Sequence, residues 1–377
     1  MTRLLEILIS VAIVAVLFLA VGLVLPSSRH ISHSVETNRK LTIVYDTLNS
    51  LRRFDDWNPV ALFDPQMKMK LSGPESGKGA RLDYSSEVEG VGEGSWEIVE
   101  TEPGKSVTYA ITNPERGENK RSKFILERTG RNGRNVEITQ TYDVDYGWNL
   151  LGRYAGLYVT SSVGEQIKMG LRRLSNMLAT VPNYDYADLS KDDPTRAPKV
   201  AERSAENLLV VTAAVDRNNE KVQSQMKSNM EWIRKVMAAN NLEPAGPVRI
   251  VTNEFGAETY SFDVAQPVRK AGSAPAAEGA EGAAGEAAPA VAAGPATKLE
   301  GIKLDGPVEL VFSDASKVAT APFRGHMASL PKMRDALRGW AMTRGYETTE
   351  RPYEAWNKGI EAGFTEEGEY DVFWAIK

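Results

Sequence analysis

From Ile7 to Pro26 the chain reads ILISVAIVAVLFLAVGLVLP, an apolar run without a charge. A bilayer's hydrocarbon core is roughly 30 Å thick, and a helix rises about 1.5 Å per residue. The run is long enough to cross, and ordinary globular sequence follows it. Such a chain must fold as a body tied to one apolar helix, expected over residues 4–26. A cleaved signal peptide would carry a shorter apolar region and small residues before its cleavage point. Here the run ends in LVLPSSRH, so an uncleaved single-pass anchor in a cell's inner membrane is expected, with the lipid bilayer as partner. Arg3 on one side is partly offset by Glu6, and Arg29, Arg39 and Lys40 stand on the other. Positive-inside counting leans towards a cytoplasmic body and leaves the side open.

The chain has 377 residues, enough for two domains or three, and a formal net charge of −5. An acidic balance argues against a nucleic-acid partner, because phosphate binding needs a basic surface. With no cysteine there is no disulfide, thiol nucleophile or thiolate metal site.

Alternation begins at Arg29, and a short helix is expected over about 40–49. Alternating runs at 67–71, 80–86, 94–100, 106–112, 122–127 and 135–142, split by Gly and Pro, predict an antiparallel meander. Tyr154, Leu157, Val163, Ile167, Leu171, Leu174 and Leu178 then make one helical stripe that Pro182 ends. A curved sheet gripping a long helix, with a cavity between them, satisfies this order.

The polar stretch 186–205 is expected to be a linker. Beyond it, strands at 208–215, 248–251 and 260–264 surround a helix marked by Val222, Met226, Met230, Ile233 and Met237. The plan returns with strands at 308–312 and 317–321, a helix marked by Leu330, Met333, Leu337 and Trp340, and strands at 353–356 and 370–376. NNLEPAGPVRI matches RGYETTERPYEA with one residue of slippage, which suggests an internal duplication. Between the halves, 271–297 holds mainly Ala, Gly, Pro and Glu and is expected to be a disordered loop.

The stretches HISHSVETNRKLTIVYDTLNSLRRFDDWNPV, SGPESGKGARLDYSSE and YGWNLLGRYAGLYVTSSVGEQIKMGLRRL resemble the SRPBCC superfamily, the START-like helix-grip fold, in its polyketide cyclase-type members. The resemblance covers 29–185 and implies a deep apolar cavity under the long helix. Asn38-Arg39 stands where that family usually carries a proline. Residues 206–377 resemble the GyrI-like effector-binding domain of bacterial regulators and drug-binding proteins, through PVRI and YSFDVAQPV in one half and RPYEAWN and YDVFWAI in the other. That resemblance implies a pseudo-twofold cleft for amphiphilic or cationic small molecules, matched here by Tyr353, Glu354, Trp356 and Trp374. The segment 357–369 departs from the family's acidic-proline pattern, and no helix-turn-helix precedes the domain.

The residues by themselves offer little catalysis. His30 and His33, three apart on a strand, face opposite ways and do not suit one metal. His326 reads as a capping or exposed histidine, and Asp55-Asp56 as loop carboxylates. Trp57 and Trp148 read as core or cavity wall. Glu354 beside Tyr353 and Trp356 would attract a cation. Its counterpart in the first half by the repeat is Arg249, and if both enter one cleft they pair and weaken that preference. A salt bridge closing the cleft is the blander alternative. No catalytic residue, metal site or cofactor is assigned.

The expected fold is α+β: a transmembrane helix, a helix-grip antiparallel sheet, then a duplicated strand–helix–strand–strand domain. The expected function is a membrane-anchored sensor or carrier that binds an apolar or amphiphilic small molecule. The alternatives are a polyketide cyclase-like or hydrolytic enzyme using the first cavity, and a membrane-tethered interaction protein with no ligand, its protein partner unknown.

Overall fold

The computed structural model describes residues 2–272, 297–349 and 351–377. The loop expected over 271–297 therefore lies, for residues 273–296, outside the described residues. Two compact units divide the chain: Met1–Asn183 with Thr343–Gly345, and Tyr184–Met342 with Tyr346–Lys377. The fold is α+β, with curled antiparallel sheets and helices in both units.

Unit 1 begins with α1 (Thr2–Val24), a helix long and apolar enough to cross a membrane. Its sheet contains β1 (Ser28–Thr37), β2 (Lys68–Ser72), β3 (Arg81–Ser85), β4 (Glu93–Glu102), β5 (Ser106–Thr112), β6 (Glu118–Thr129) and β7 (Asn135–Asp145). Their order is β1-β7-β6-β5-β4-β3-β2, a meander whose first strand closes against its last. Three short helices, α2 (Leu41–Leu48), α3 (Phe54–Trp57) and α4 (Val60–Phe63), join β1 to β2.

The stripe expected as one helix from Tyr154 to Leu178 is two helices, α5 (Leu150–Ala155) and α6 (Val159–Thr180). Asn149 caps α5 by accepting from the Gly152 N–H at 2.9 Å. The break follows Gly156, the C-cap of α5, where a Cβ would lie 2.8 Å from the Tyr146 ring. Ile167, Leu171, Leu174 and Leu178 face inward from α6, which packs on β1, β7 and α3. Val181 is extended, as a residue before proline must be, and α6 stops there.

Unit 2 is one sheet of β8 (Lys199–Arg203), β9 (Glu206–Asp216), β10 (Leu242–Pro244), β11 (Val248–Phe255), β12 (Thr259–Lys270), β13 (Glu309–Ser313), β14 (Ser316–Arg324), β15 (Tyr353–Trp356) and β16 (Glu369–Ala375). The order β13-β9-β12-β11-β15-β16-β14-β8 is palindromic about the β11–β15 pair: β9, β12 and β11 mirror β14, β16 and β15. Helices α7 (Asn219–Ala239) and α8 (Leu330–Thr343) complete the two halves, and α9 (Gly359–Gly363) is a short addition. β13, expected to open the second half, instead edges β9 of the first. The stretch expected as linker supplies β8, which edges β14. Leu209, Val211, Ile250, Phe262, Val264 and Val372 are buried on the helix-facing side of the sheet.

Candidate functional site

In unit 1 the strand pleat places Trp96, Tyr109 and Phe124, from β4, β5 and β6, on the concave face. The α3 turn adds Phe54 and Trp57. These rings meet edge to face, Trp57 on Phe124 at 5.5 Å and Phe54 on Trp96 at 5.3 Å, the geometry that aromatic quadrupoles favour. Beside the cluster, under α6, lies a cavity of about 80 Å³. Trp57, Trp96 and Ile111 form its apolar wall, and Gln140, Tyr142 and Gln166 are among its polar lining.

The expected apolar cavity therefore exists, but it is small and amphipathic, because the chain's own aromatic rings occupy the depth of the fold. The indole N–H of Trp57, one of the wall residues, is buried and meets no acceptor. Tyr84 and Tyr142 also line the cavity, and burial, reinforced by the Glu115 charge, pushes both phenols up from their ordinary pKa. Lys120, at the far side of the β5–β6 turn, is buried, and burial pulls its ammonium down against the opposing pull of Glu115. Its Nζ donates to the Asn113 and Glu115 carbonyls, which makes it a staple for that turn. α4 carries no buried residue and exposes Leu62 and Phe63 beside the cavity's Pro59 and Val60.

Trp148, expected in the core or cavity wall, is instead 83 % exposed, with the Arg153 guanidinium 5.8 Å from its ring. It sits in the turn between β7 and α5, where no sheet face covers it. The remaining side chains behave as local chemistry predicts. His30 pairs with Asp143 at 2.6 Å, while the His33 Nε2 is buried near Gly164, the two rings lying on opposite faces of β1. Asp56 pairs with Arg53 at 2.6 Å, and His326 Nδ1 accepts from the Ala328 N–H at 3.0 Å. Among the described residues no three His, Cys, Asp or Glu side chains gather as metal ligands.

The cleft expected in unit 2 is divided by its own sheet. Ile250 pairs with Glu354 and Arg249 with Ala355, so Glu354 and Arg249 point to opposite faces. The repeat read from the sequence is one residue out of register, and one residue is enough to change the face. Glu354 is 0 % exposed on the helix side and takes both oxygens to Arg334 of α8, at 2.5 and 2.9 Å. Burial works against the Arg334 charge, but Glu354 outweighs it, and the guanidinium pKa rises. Trp356 and Trp374 share this face, Trp356 against Tyr370 edge to face at 5.2 Å and Trp374 under Arg338 at 5.6 Å. Both indole N–H groups are buried without an acceptor.

On the other face Tyr353 stacks on Phe373 at 5.1 Å, with Arg249 over Tyr353 at 4.4 Å and Arg203 over Phe373 at 4.6 Å. Glu206 accepts from both Arg203 and Arg249. Burial would raise the Glu206 pKa, but Arg249 and Arg203 overcome it and hold the carboxyl below its ordinary value. The expected Arg249–Glu354 pair is thus replaced by two separate ones.

A larger cavity of about 260 Å³, which the sequence did not disclose, lies on the helix side of unit 2, with Arg217, Asn218, Phe255, Tyr260, Pro331 and Arg334 in its wall. None of the expected cleft residues lines it. The one local signal was Arg217-Asn218 before α7, where the Asn218 side chain caps the helix by accepting from Glu220 and Lys221. Arg217 itself lies over the Phe255 ring at 4.3 Å.

No family model matches the chain, and no curated protein matches it. Solved structures that resemble it include the C-terminal domain of EcmrR, at 14% identity, covering 48% of this chain and 96% of that one with a TM-score of 0.35. Truncated norcoclaurine synthase from Thalictrum flavum matches at 14% identity, over 41% of this chain and 94% of that one, with a TM-score of 0.32. The Zhui aromatase/cyclase from Streptomyces sp. R1128 matches at 15% identity, over 40% and 94%, with a TM-score of 0.31.

Proposed function

We propose that the chain is a membrane-anchored protein that binds a small amphiphilic molecule in the unit 1 cavity. The observation that carries this reading is the unsatisfied Trp57 indole N–H in the cavity wall. A buried donor without an acceptor costs about 1–3 kcal/mol, and a guest with an acceptor oxygen removes that cost. The aromatic wall supplies the apolar contact, and Gln140 and Gln166 supply orientation. An empty volume of about 80 Å³ is below the roughly 150 Å³ that holds benzene, so binding a larger guest requires the cavity to widen. α4, which buries none of its own side chains, is the wall that can yield. α1 supplies the anchor.

Lys120 is spent on its own turn and is not among the residues that line the cavity. In unit 2 the Glu354 charge is already neutralised by Arg334, which removes the reason for a cation there.

The test is mass spectrometry of small molecules released from the full chain extracted in detergent, joined to titration with the fluorescent amphiphile N-phenyl-1-naphthylamine. Val163→Trp, which fills the cavity's side, should weaken probe binding at least tenfold. No co-purifying molecule, together with probe binding that Val163→Trp leaves unchanged, would defeat the proposal.

A further inference from the structure

The apolar helix does not leave unit 1 as a free stalk. Tyr154 of α5 stacks on Phe18 of α1 with ring centroids 4.4 Å apart, and its hydroxyl donates to the Phe18 carbonyl at 2.7 Å. At Gly22 a Cβ would lie 3.3 Å from both Leu150 and Tyr154, a tight fit that a larger residue would have to open. Arg153, itself buried, closes the helix end. Its Nη1 donates to the carbonyls of Gly22, Leu23 and Leu25 at 3.3, 3.0 and 3.2 Å, and its Nε and Nη2 donate to Gly147 at 2.9 and 2.7 Å. These carbonyls lack partners within the helix, and the cation faces the negative end of its dipole.

Around this junction the chain exposes large apolar side chains: Trp148, Leu151 at 54 %, Leu157 at 51 % and Tyr158 at 70 %. We infer that this patch is a membrane-docking surface that seats unit 1 in the headgroup–acyl boundary of the bilayer. The inference rests on the reading of α1 as a spanning anchor. Phe18 lies roughly 9 Å from Val24 along the helix axis. If α1 spans, Tyr154 beside Phe18 is drawn below the boundary, and its neighbours go with it. Surface-seated amphipathic elements bury their apolar side by about 5–10 Å, the same depth. Trp and Tyr, with apolar bodies and polar tips, are the residues that this zone favours. Arg153 then satisfies backbone carbonyls where water is scarce. The patch is continuous with the apolar helix, which makes lipid its occupant. The seat also brings the unit 1 cavity close to the acyl layer, since Val163 in its wall is roughly 8 Å along α6 from Tyr158.

The chain has no cysteine, so single nitroxide labels report depth without background. The full chain would be placed in nanodiscs of phosphatidylcholine and phosphatidylglycerol as Ile13→Cys, Leu151→Cys, Tyr158→Cys and Glu127→Cys. Glu127 is exposed near the end of the sheet remote from α1 and serves as the aqueous reference. Collision with oxygen should exceed collision with a water-soluble nickel chelate several-fold at 13, 151 and 158, and the order should reverse at 127. Trp148→Ser with Leu157→Ser should raise nickel access at 151 several-fold and leave position 13 unchanged. A lipid-facing label at 13 with aqueous labels at 151 and 158 overturns the docking surface and keeps the anchor. An aqueous label at 13 overturns the anchor and the docking surface together.

Discussion

Units 1 and 2 are both antiparallel sheets backed by helices, yet they fill their interiors in opposite ways. Unit 1 packs neutral rings edge to face and leaves the indole N–H of a cavity-lining tryptophan without an acceptor. Unit 2 buries full charges and matches each on its own face: Glu354 with Arg334, and Glu206 with Arg249 and Arg203. A ring cluster tolerates a small void at modest cost, whereas a buried charge tolerates no missing partner. Both interiors keep an empty space, about 80 Å³ in unit 1 and about 260 Å³ in unit 2, and the proposed ligand goes to the first because its wall is aromatic and includes a residue with an unmatched donor.

The sharpest way to break this contrast is Arg334→Met, which strands Glu354 in an apolar site. Unit 2 should lose about 3–5 kcal/mol, and adding Glu354→Leu should restore most of it. Urea unfolding followed by hydrogen exchange on β11 and β15 peptides measures both. A loss of under about 1 kcal/mol would mean that the pair is not the constraint described here.

A smaller effect separates the two faces of unit 2 by pH. The Glu206 carboxyl is held below its ordinary value in the fold, so the stability it contributes is present above the unfolded carboxylate pKa of about 4.3. That stability is lost as pH falls through the folded value. Glu206→Gln should flatten this part of the acid limb, seen as less acid-induced exchange in β9 between about pH 5 and 3. An unchanged limb would place the acid sensitivity elsewhere.

The smallest stability change is expected in unit 1. Trp57→Phe removes an N–H that has no acceptor, so it should cost less than about 1.5 kcal/mol in thermal unfolding. The same variant should weaken guest binding several-fold, because it removes the donor that a guest would meet. A large stability loss without a binding loss would turn the indole into mere packing.

Much of the fold was legible in the chain because it depends on local pattern. The meander of unit 1 follows from alternating runs broken by glycine turns, and α7 and α8 follow from methionine and leucine spacing. The break between α5 and α6 was not legible, since the apolar stripe runs through it and the Tyr146 ring that crowds Gly156 there comes from outside both helices. β8 was missed as a strand, and β13 was read as a strand but not as an edge of β9, because each pairs with a partner far along the chain.

What the sequence alone determined is the apolar helix, the two sets of elements and the kind of residue available to each interior. Periodicity and composition carry that information directly. What only the tertiary structure decided is pairing and facing. The register of β11 on β15, which pairs Glu354 with Ile250 and not with Arg249, set Glu354 and Arg249 on opposite sides of a sheet, and α8 brought Arg334 to the acid. The turn after β7 left Trp148 outside while α3 carried Trp57 in. Such outcomes depend on register and long-range contact, which no stretch of the chain encodes by itself.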